Sequence, residues 1–181
     1  MFKNNYYPKF CILFFVVLFA AGFIKSFIFD VKLVKGKSME PVLKDGDFIF
    51  IFKAAYGIKL PWGNSYLLRW AEPAINDLIL YVKDGHFTVK RCAGTAYLPI
   101  EFYKGLGYNN ELFYTVTTGG KTIELTAVQF RNLGGMADKQ KQVIPKGYIL
   151  ALGDNLEASY DSRDYGFIFI GSIYGKVLLW K

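Results

Sequence analysis

The most one-sided stretch of the chain comes first. From Phe10 to Ile24 fifteen residues run without a charge, and beyond Lys25 and Ser26 the apolar run resumes through Phe27, Ile28 and Phe29. Residues 10–29 are about what a helix needs to cross a hydrocarbon core of roughly 30 Å, and Lys25 near the end can snorkel to the headgroups. A cleaved secretory signal fits the same residues, with Lys3 and Lys9 as the basic flank and Ala20-Ala21-Gly22 as small residues at a cut. Hydropathy favours the retained anchor.

After residue 30 the pattern shortens to that of strands. Residues 47–52 (DFIFIF) and 77–83 (DLILYVK) are short runs of β-forming residues. Asp84-Gly85 is a turn signal before His86–Cys92, so 77–92 reads as a hairpin. A second hairpin is expected at 111–127, where Phe113–Thr117 and Lys121–Leu125 flank Gly119-Gly120. Residues 147–152 and 167–180 are further apolar runs, and 134–142 (GGMADKQKQ) reads as a solvated surface loop. Many short strands with Gly-rich turns predict a mainly β, antiparallel, barrel-like domain behind one transmembrane helix.

Charge and composition narrow the partners. The chain has 181 residues, 22 Lys and Arg against 15 Asp and Glu, one histidine and two cysteines. Residues 1–29 hold three lysines and no acid, which leaves +4 on the remainder. Lys32, Lys35 and Lys37 crowd just past the apolar segment, which points to an anionic lipid surface. Nucleic acid is not expected, because there is no basic helix and no zinc-finger spacing. Lysines on both flanks leave orientation undecided by charge. With His86 as the sole histidine, neither a His-ligated metal site nor a Ser-His-Asp triad is supported, and no metal or cofactor is expected.

A nucleophile must therefore find another base. Ser38 sits in Gly36-Lys37-Ser38-Met39-Glu40-Pro41, where Gly36 permits unusual dihedrals and Pro41 stiffens the following turn. A serine in such a turn is commonplace by itself. Lys90 lies inside the apolar strand Phe87–Cys92. Side chains alternate along a strand, so Lys90 and Arg91 face opposite sides, and one of them points to the interior or a cleft. A lysine in apolar surroundings loses solvation of its charged form, its pKa falls, and it can act as a general base. An edge strand with both residues reaching water is the plainer alternative. Residues 153–166 (GDNLEASYDSRDYG) are dense in hydrogen-bonding side chains directly after an apolar strand, and an Asx-rich surface loop would read the same way.

Together these three segments carry a resemblance. The chain is similar to the type I signal peptidases (leader peptidases), membrane-anchored serine proteases with a Ser–Lys dyad. The match rests on the box at 36–41, the Lys-Arg box at 89–94 and the G-D-N…S-x-D-S-R…G box at 153–166, in the family's order and behind the helix. The resemblance implies Ser38 as nucleophile and Lys90 as general base, with Ser159 hydrogen-bonding and orienting the lysine. It also implies pairing of Arg91 with Asp154 and of Asp161 with Arg163, the latter across an extended segment. The backbone N–H of Ser38 would serve the oxyanion. Val34, Val89 and Met39 would line small pockets suited to Ala-x-Ala sites in the signal peptides of exported preproteins. Topology follows too: a cytoplasmic tail at 1–9, a single-pass plasma (inner) membrane anchor at 10–29, and an extracytoplasmic or periplasmic endopeptidase domain at 30–181. Departures are Gly36 where some members carry a serine, Leu156 in place of an arginine after G-D-N, and Thr95–Pro99 in place of a Leu-Pro-Gly-Asp turn.

Competing readings are a processing peptidase for pilin or conjugation components, an autoproteolytic Ser–Lys repressor-type protein, and an inactive membrane-anchored β-domain. His86 reads as a turn or surface residue. Cys11 and Cys92 are too differently placed to pair, and Cys92 reads as core. Tyr56–Trp70 (YGIKLPWGNSYLLRW) reads either as a segment dipping into the membrane interface or as a loop packed on the barrel.

Overall fold

The computed structural model describes residues 6–60, 66–137 and 139–179. It opens with helix α1 (Tyr6–Phe27), in which no residue of the apolar stretch Lys9–Phe27 is buried. That stretch is long and apolar enough to cross a membrane. Lys53 Nζ donates to the carbonyls of Lys25 and Ser26 and so caps the helix's open C-terminal end. The helix stops at Phe27, short of the expected limit, because Phe29 already begins a strand.

The strands are β1 (Phe29–Leu33), β2 (Phe48–Phe52), β3 (Gly57–Lys59), β4 (Tyr66–Arg69), β5 (Leu78–Lys83), β6 (His86–Gly94) and β7 (Pro99–Leu106). After them come β8 (Leu112–Thr118), β9 (Lys121–Leu125), helix α2 (Ala127–Asn132), β10 (Gln140–Val143), β11 (Tyr148–Leu152), helix α3 (Ser162–Tyr165), β12 (Ile168–Phe169) and β13 (Ile173–Leu178). All pairings are antiparallel. A seven-stranded sheet runs β1-β2-β13-β5-β6-β11-β12, a four-stranded sheet runs β10-β7-β8-β9, and β3 pairs with β4.

Both predicted hairpins form. In β5–β6 the turn is Asp84-Gly85, with φ of 49° and 79°, the mirror-image turn whose twist matches its strands. The run 167–180 is not one strand. A 3-10 turn at Ile170–Ser172 interrupts it, and those three residues carry the chain from the sheet's edge at β12 to its interior at β13. So short a link requires the sheet to coil on itself, which gives the domain its barrel-like form. The surface-loop reading of 134–142 needs correction at its end. Gln140–Val143 pairs with β7, and its exposed alternate residues hid the strand among polar ones.

Three apolar clusters fill the domain. One joins the four-stranded sheet to α2 and β11 around Phe102, Phe130 and Leu150. The second lies under β5, β6 and β11 around Tyr81, Cys92 and Ile173. The third, with Val34, Met39, Leu43, Ile49, Leu78 and Leu80, carries the Ser38 segment.

Candidate active site

Ser38 follows β1 in a tight turn fixed by its surroundings. Gly36 adopts φ of 87°, a left-handed conformation that disfavours side chains, and its N–H donates to Asp45 Oδ1 at 2.7 Å. Met39 beside it is 2% exposed and anchors the turn in the apolar cluster. On the other side, Ser38's carbonyl accepts Asn155 N–H at 3.1 Å. The hydroxyl is therefore placed by a packed backbone.

Alternation along β6 resolves the two basic neighbours. Lys90 is 3% exposed and faces inward, while Arg91 turns to the opposite side. Lys90 Nζ donates to Ser38 Oγ at 2.7 Å, across 52 residues of sequence. Burial lowers the lysine's pKa from its ordinary 10.5, since the low-dielectric surroundings disfavour the ammonium; Asp161 and Asp154 oppose the shift and Arg163 adds to it. Arg91 forms a two-pronged pair with Asp154, Nε to Oδ1 at 2.7 Å and Nη2 to Oδ2 at 2.6 Å. That pair ties β6 to the loop after β11.

The loop 153–166 is not a solvated Asx turn. Asp161, fully buried, caps α3: Oδ1 accepts Arg163 N–H at 3.1 Å, and the Asp161 N–H donates to Asp164 Oδ2 at 2.9 Å. Its carboxylate pairs with Arg163 Nε at 2.9 Å, so the expected ion pair is present, but around a helix start rather than along an extended segment. Burial alone would raise the Asp161 pKa; Arg163, the Gly153 N–H and the Ser159 hydroxyl outweigh it and hold the carboxyl below its ordinary value.

Ser159 is placed differently from the expectation. It is buried, yet its hydroxyl donates to Asp161 Oδ2 at 2.7 Å. Among the described hydrogen bonds Lys90 Nζ reaches Ser38, not Ser159. Gly153 explains the crowding here, because a Cβ at that position would collide with Ser159 and lie 2.6 Å from Ser38 O.

Val34, Met39 and Val89 do come together in one apolar cluster beside Ser38, with Met39 in its interior and Val89 half-buried. Sequence reasoning missed Asp45 and Asn155, which hold the Ser38 segment from either side through backbone groups; an acid nine residues from a glycine carries no local signal. His86 is exposed on its turn. Cys92 is buried, and burial pushes its thiol up to about 12. In the 56–70 segment Lys59 and Tyr66 bond to the carbonyls of Gly171 and Ile173, as a segment packed on the domain would, and Leu67, Leu68 and Trp70 are exposed. Trp62 lies outside the described residues.

An apolar helix long enough to cross a membrane, an antiparallel β domain and a serine that accepts a hydrogen bond from a buried lysine define a mainly β protein with an N-terminal apolar helix. A family model described as signal peptidase, peptidase S26, matches residues 8–180. Signal peptidase IB of Staphylococcus aureus (strain COL) is 31% identical over 171 residues, covering 90% of this chain and 81% of that protein. Signal peptidase I of Bacillus caldolyticus is 28% identical over 174 residues, with 90% and 85% covered. Signal peptidase I of Aquifex aeolicus (strain VF5) is 27% identical over 215 residues, with 91% and 80% covered. The chain belongs to the signal peptidase S26 family of serine peptidases.

Proposed function

We propose that this chain is a membrane-anchored endopeptidase that removes signal peptides from exported preproteins, with Ser38 as nucleophile and Lys90 as base. The observation that carries the reading is the 2.7 Å contact between Lys90 Nζ and Ser38 Oγ in a site where the lysine is almost wholly buried. When the amine is neutral, its lone pair takes the Ser38 proton as Oγ attacks the scissile carbonyl carbon. The oxyanion that forms is met by the Ser38 N–H. Lys90 then gives its proton to the leaving amine, and the signal peptide stays on Ser38 as an ester. A water deprotonated by Lys90 attacks that ester, releases the signal peptide's new carboxylate and restores the hydroxyl.

Ser159, Asp161 and Arg163 hold the wall behind the dyad, and Arg91 with Asp154 locks β6 against it. Val34 and Val89 receive small side chains at the residues one and three before the cut, which selects Ala-x-Ala sites. The N-terminus lies in the cytoplasm and the domain outside it. Phe29, Val31, Leu33, Phe48 and Phe50 are exposed on the strands nearest the helix, which supports contact of that face with lipid. Chain reach keeps Ser38 near the bilayer surface, where a membrane-held signal peptide emerges.

The test uses the full chain in detergent with a preprotein bearing an Ala-x-Ala site. Mass spectrometry of the product should place the cut after the second Ala, with no product from Ser38→Ala. Cleavage elsewhere, or equal cleavage by the variant, would overturn the reading.

A further inference from the structure

A cavity of about 510 Å³ lies between β6, the loop after β11 and the β8–β9 hairpin. Arg91 and Ala93 line it from β6, Leu152 from β11, and Thr118, Lys121 and Ile123 from the hairpin. Its walls are unlike in chemistry. Ala93, Ile123 and Leu152 make an apolar floor, and Lys121 is exposed at the rim, while the Arg91 guanidinium is already taken up by Asp154. Thr118 is 4% exposed, and its Oγ1 has no hydrogen-bond partner among the described residues. A buried hydroxyl left without a partner is costly. One beside a cavity is relieved by whatever peptide group enters.

The cavity's place along β6 indicates what enters. Alternation puts Arg91 and Ala93 on the same side of the strand as Val89, which packs with Val34 and Met39 beside Ser38. At about 3.3 Å per residue, Arg91 is about 7 Å and Ala93 about 13 Å beyond Val89, the span of about two to four residues of an extended peptide. Residues before the cut occupy the Val34 and Val89 side, so those after it leave along β6 toward the cavity.

We infer that the cavity is a binding subsite for the mature part of the preprotein, two to four residues beyond the cut. An apolar side chain enters the floor of Ala93, Ile123 and Leu152, an acidic neighbour meets Lys121, and the peptide backbone bonds the Thr118 hydroxyl. The inference rests on the signal-peptide reading of Ser38 and Lys90.

Three peptides sharing one Ala-x-Ala presequence test it with the full chain in detergent. One ends at the first residue after the cut; the second continues with Leu at the third position and Glu at the fourth; the third carries Lys at both. Wild type should show a KM about tenfold lower for the Leu-Glu peptide than for the other two. Lys121→Glu should turn the preference toward the Lys peptide, and Ile123→Trp should erase the Leu-Glu advantage. Both should leave cleavage of the shortest peptide unchanged. Lys121 is exposed, so its variant decides the matter even if the Ile123 variant fails to fold. Equal KM values for all three peptides in wild type, or Lys121→Glu leaving the preference unmoved, would overturn the subsite while leaving the function standing. No cleavage of any peptide by folded wild type would overturn the function itself, and the subsite with it.

Discussion

Ser159 Oγ donates to Asp161 Oδ2 at 2.7 Å, and that same oxygen accepts the N–H of Gly153 at 2.9 Å. One carboxylate thus fixes both Ser159 and Gly153, where a Cβ would run into Ser159 and the carbonyl of Ser38. Arg163 closes the arrangement, with Nη2 on Oδ2 at 3.0 Å and on the carbonyls of Leu156 and Ser159. The Asp161–Arg163 pair thus holds the buried segment next to Ser38 together from within.

Removing the carboxylate should loosen that segment and strand a buried guanidinium. Asp161→Ala is expected to lose about 3–5 kcal/mol of stability, the range for breaking a buried ion pair on one side. Denaturant unfolding of the full chain in detergent checks it, and wild-type stability would refute it. Because Asp161's folded pKa lies below its ordinary 3.8, its stabilisation is complete above that value and is lost as pH falls through the folded pKa. Asp161→Asn should therefore show a shallower loss of stability below about pH 4 than wild type.

Gly153→Ala is a steric test of the same contact. The added methyl has to move Ser159 or the Ser38 backbone. Displacement of about an ångström at a reacting centre can cost about a hundredfold in rate. The expected result is a kcat reduced by about that factor with KM little changed. Unaltered kcat would show that the backbone yields freely there.

Lys90→Met exchanges a buried amine for an apolar chain of similar shape. The folded pKa of Lys90 lies below 10.5, so between those values the unfolded chain binds more protons and wild-type stability climbs with pH. The variant lacks that penalty. It should be more stable than wild type at neutral pH, by an amount that shrinks as pH approaches 10.5. Thermal unfolding at several pH values reads this directly, and a variant less stable throughout would contradict it.

The elements that were legible in advance share one property: their signal is local. Asp84-Gly85 fixes a hairpin by turn chemistry, residues 10–29 announce a helix by length, and alternation alone separates Lys90 from Arg91. Three boxes far apart in sequence were enough for a family resemblance, and hence for expecting Lys90 beside Ser38, where the structure has the 2.7 Å contact. What stayed hidden depends on distant partners. Gln140–Val143 is a strand because β7 supplies its hydrogen bonds, and its own residues are polar. The break at Ile170–Ser172 follows from closing the sheet rather than from any Pro or Asn there. Ser159 was assigned to Lys90, whereas the acceptor it meets is the carboxylate two residues on, because α3 turns Asp161 back toward it. Asp45 gave no sign at all.

With neutral Lys90 as the base for Ser38, the pH profile of preprotein cleavage must report the lysine's ionisation. With full-length wild type, kcat/KM should rise with pH through a single ionisation below the ordinary lysine value of 10.5, and Lys90→Met should be slower by about a thousandfold or more. A flat or acid-favoured wild-type profile, or near-wild-type cleavage by Lys90→Met, would rule Lys90 out as the base.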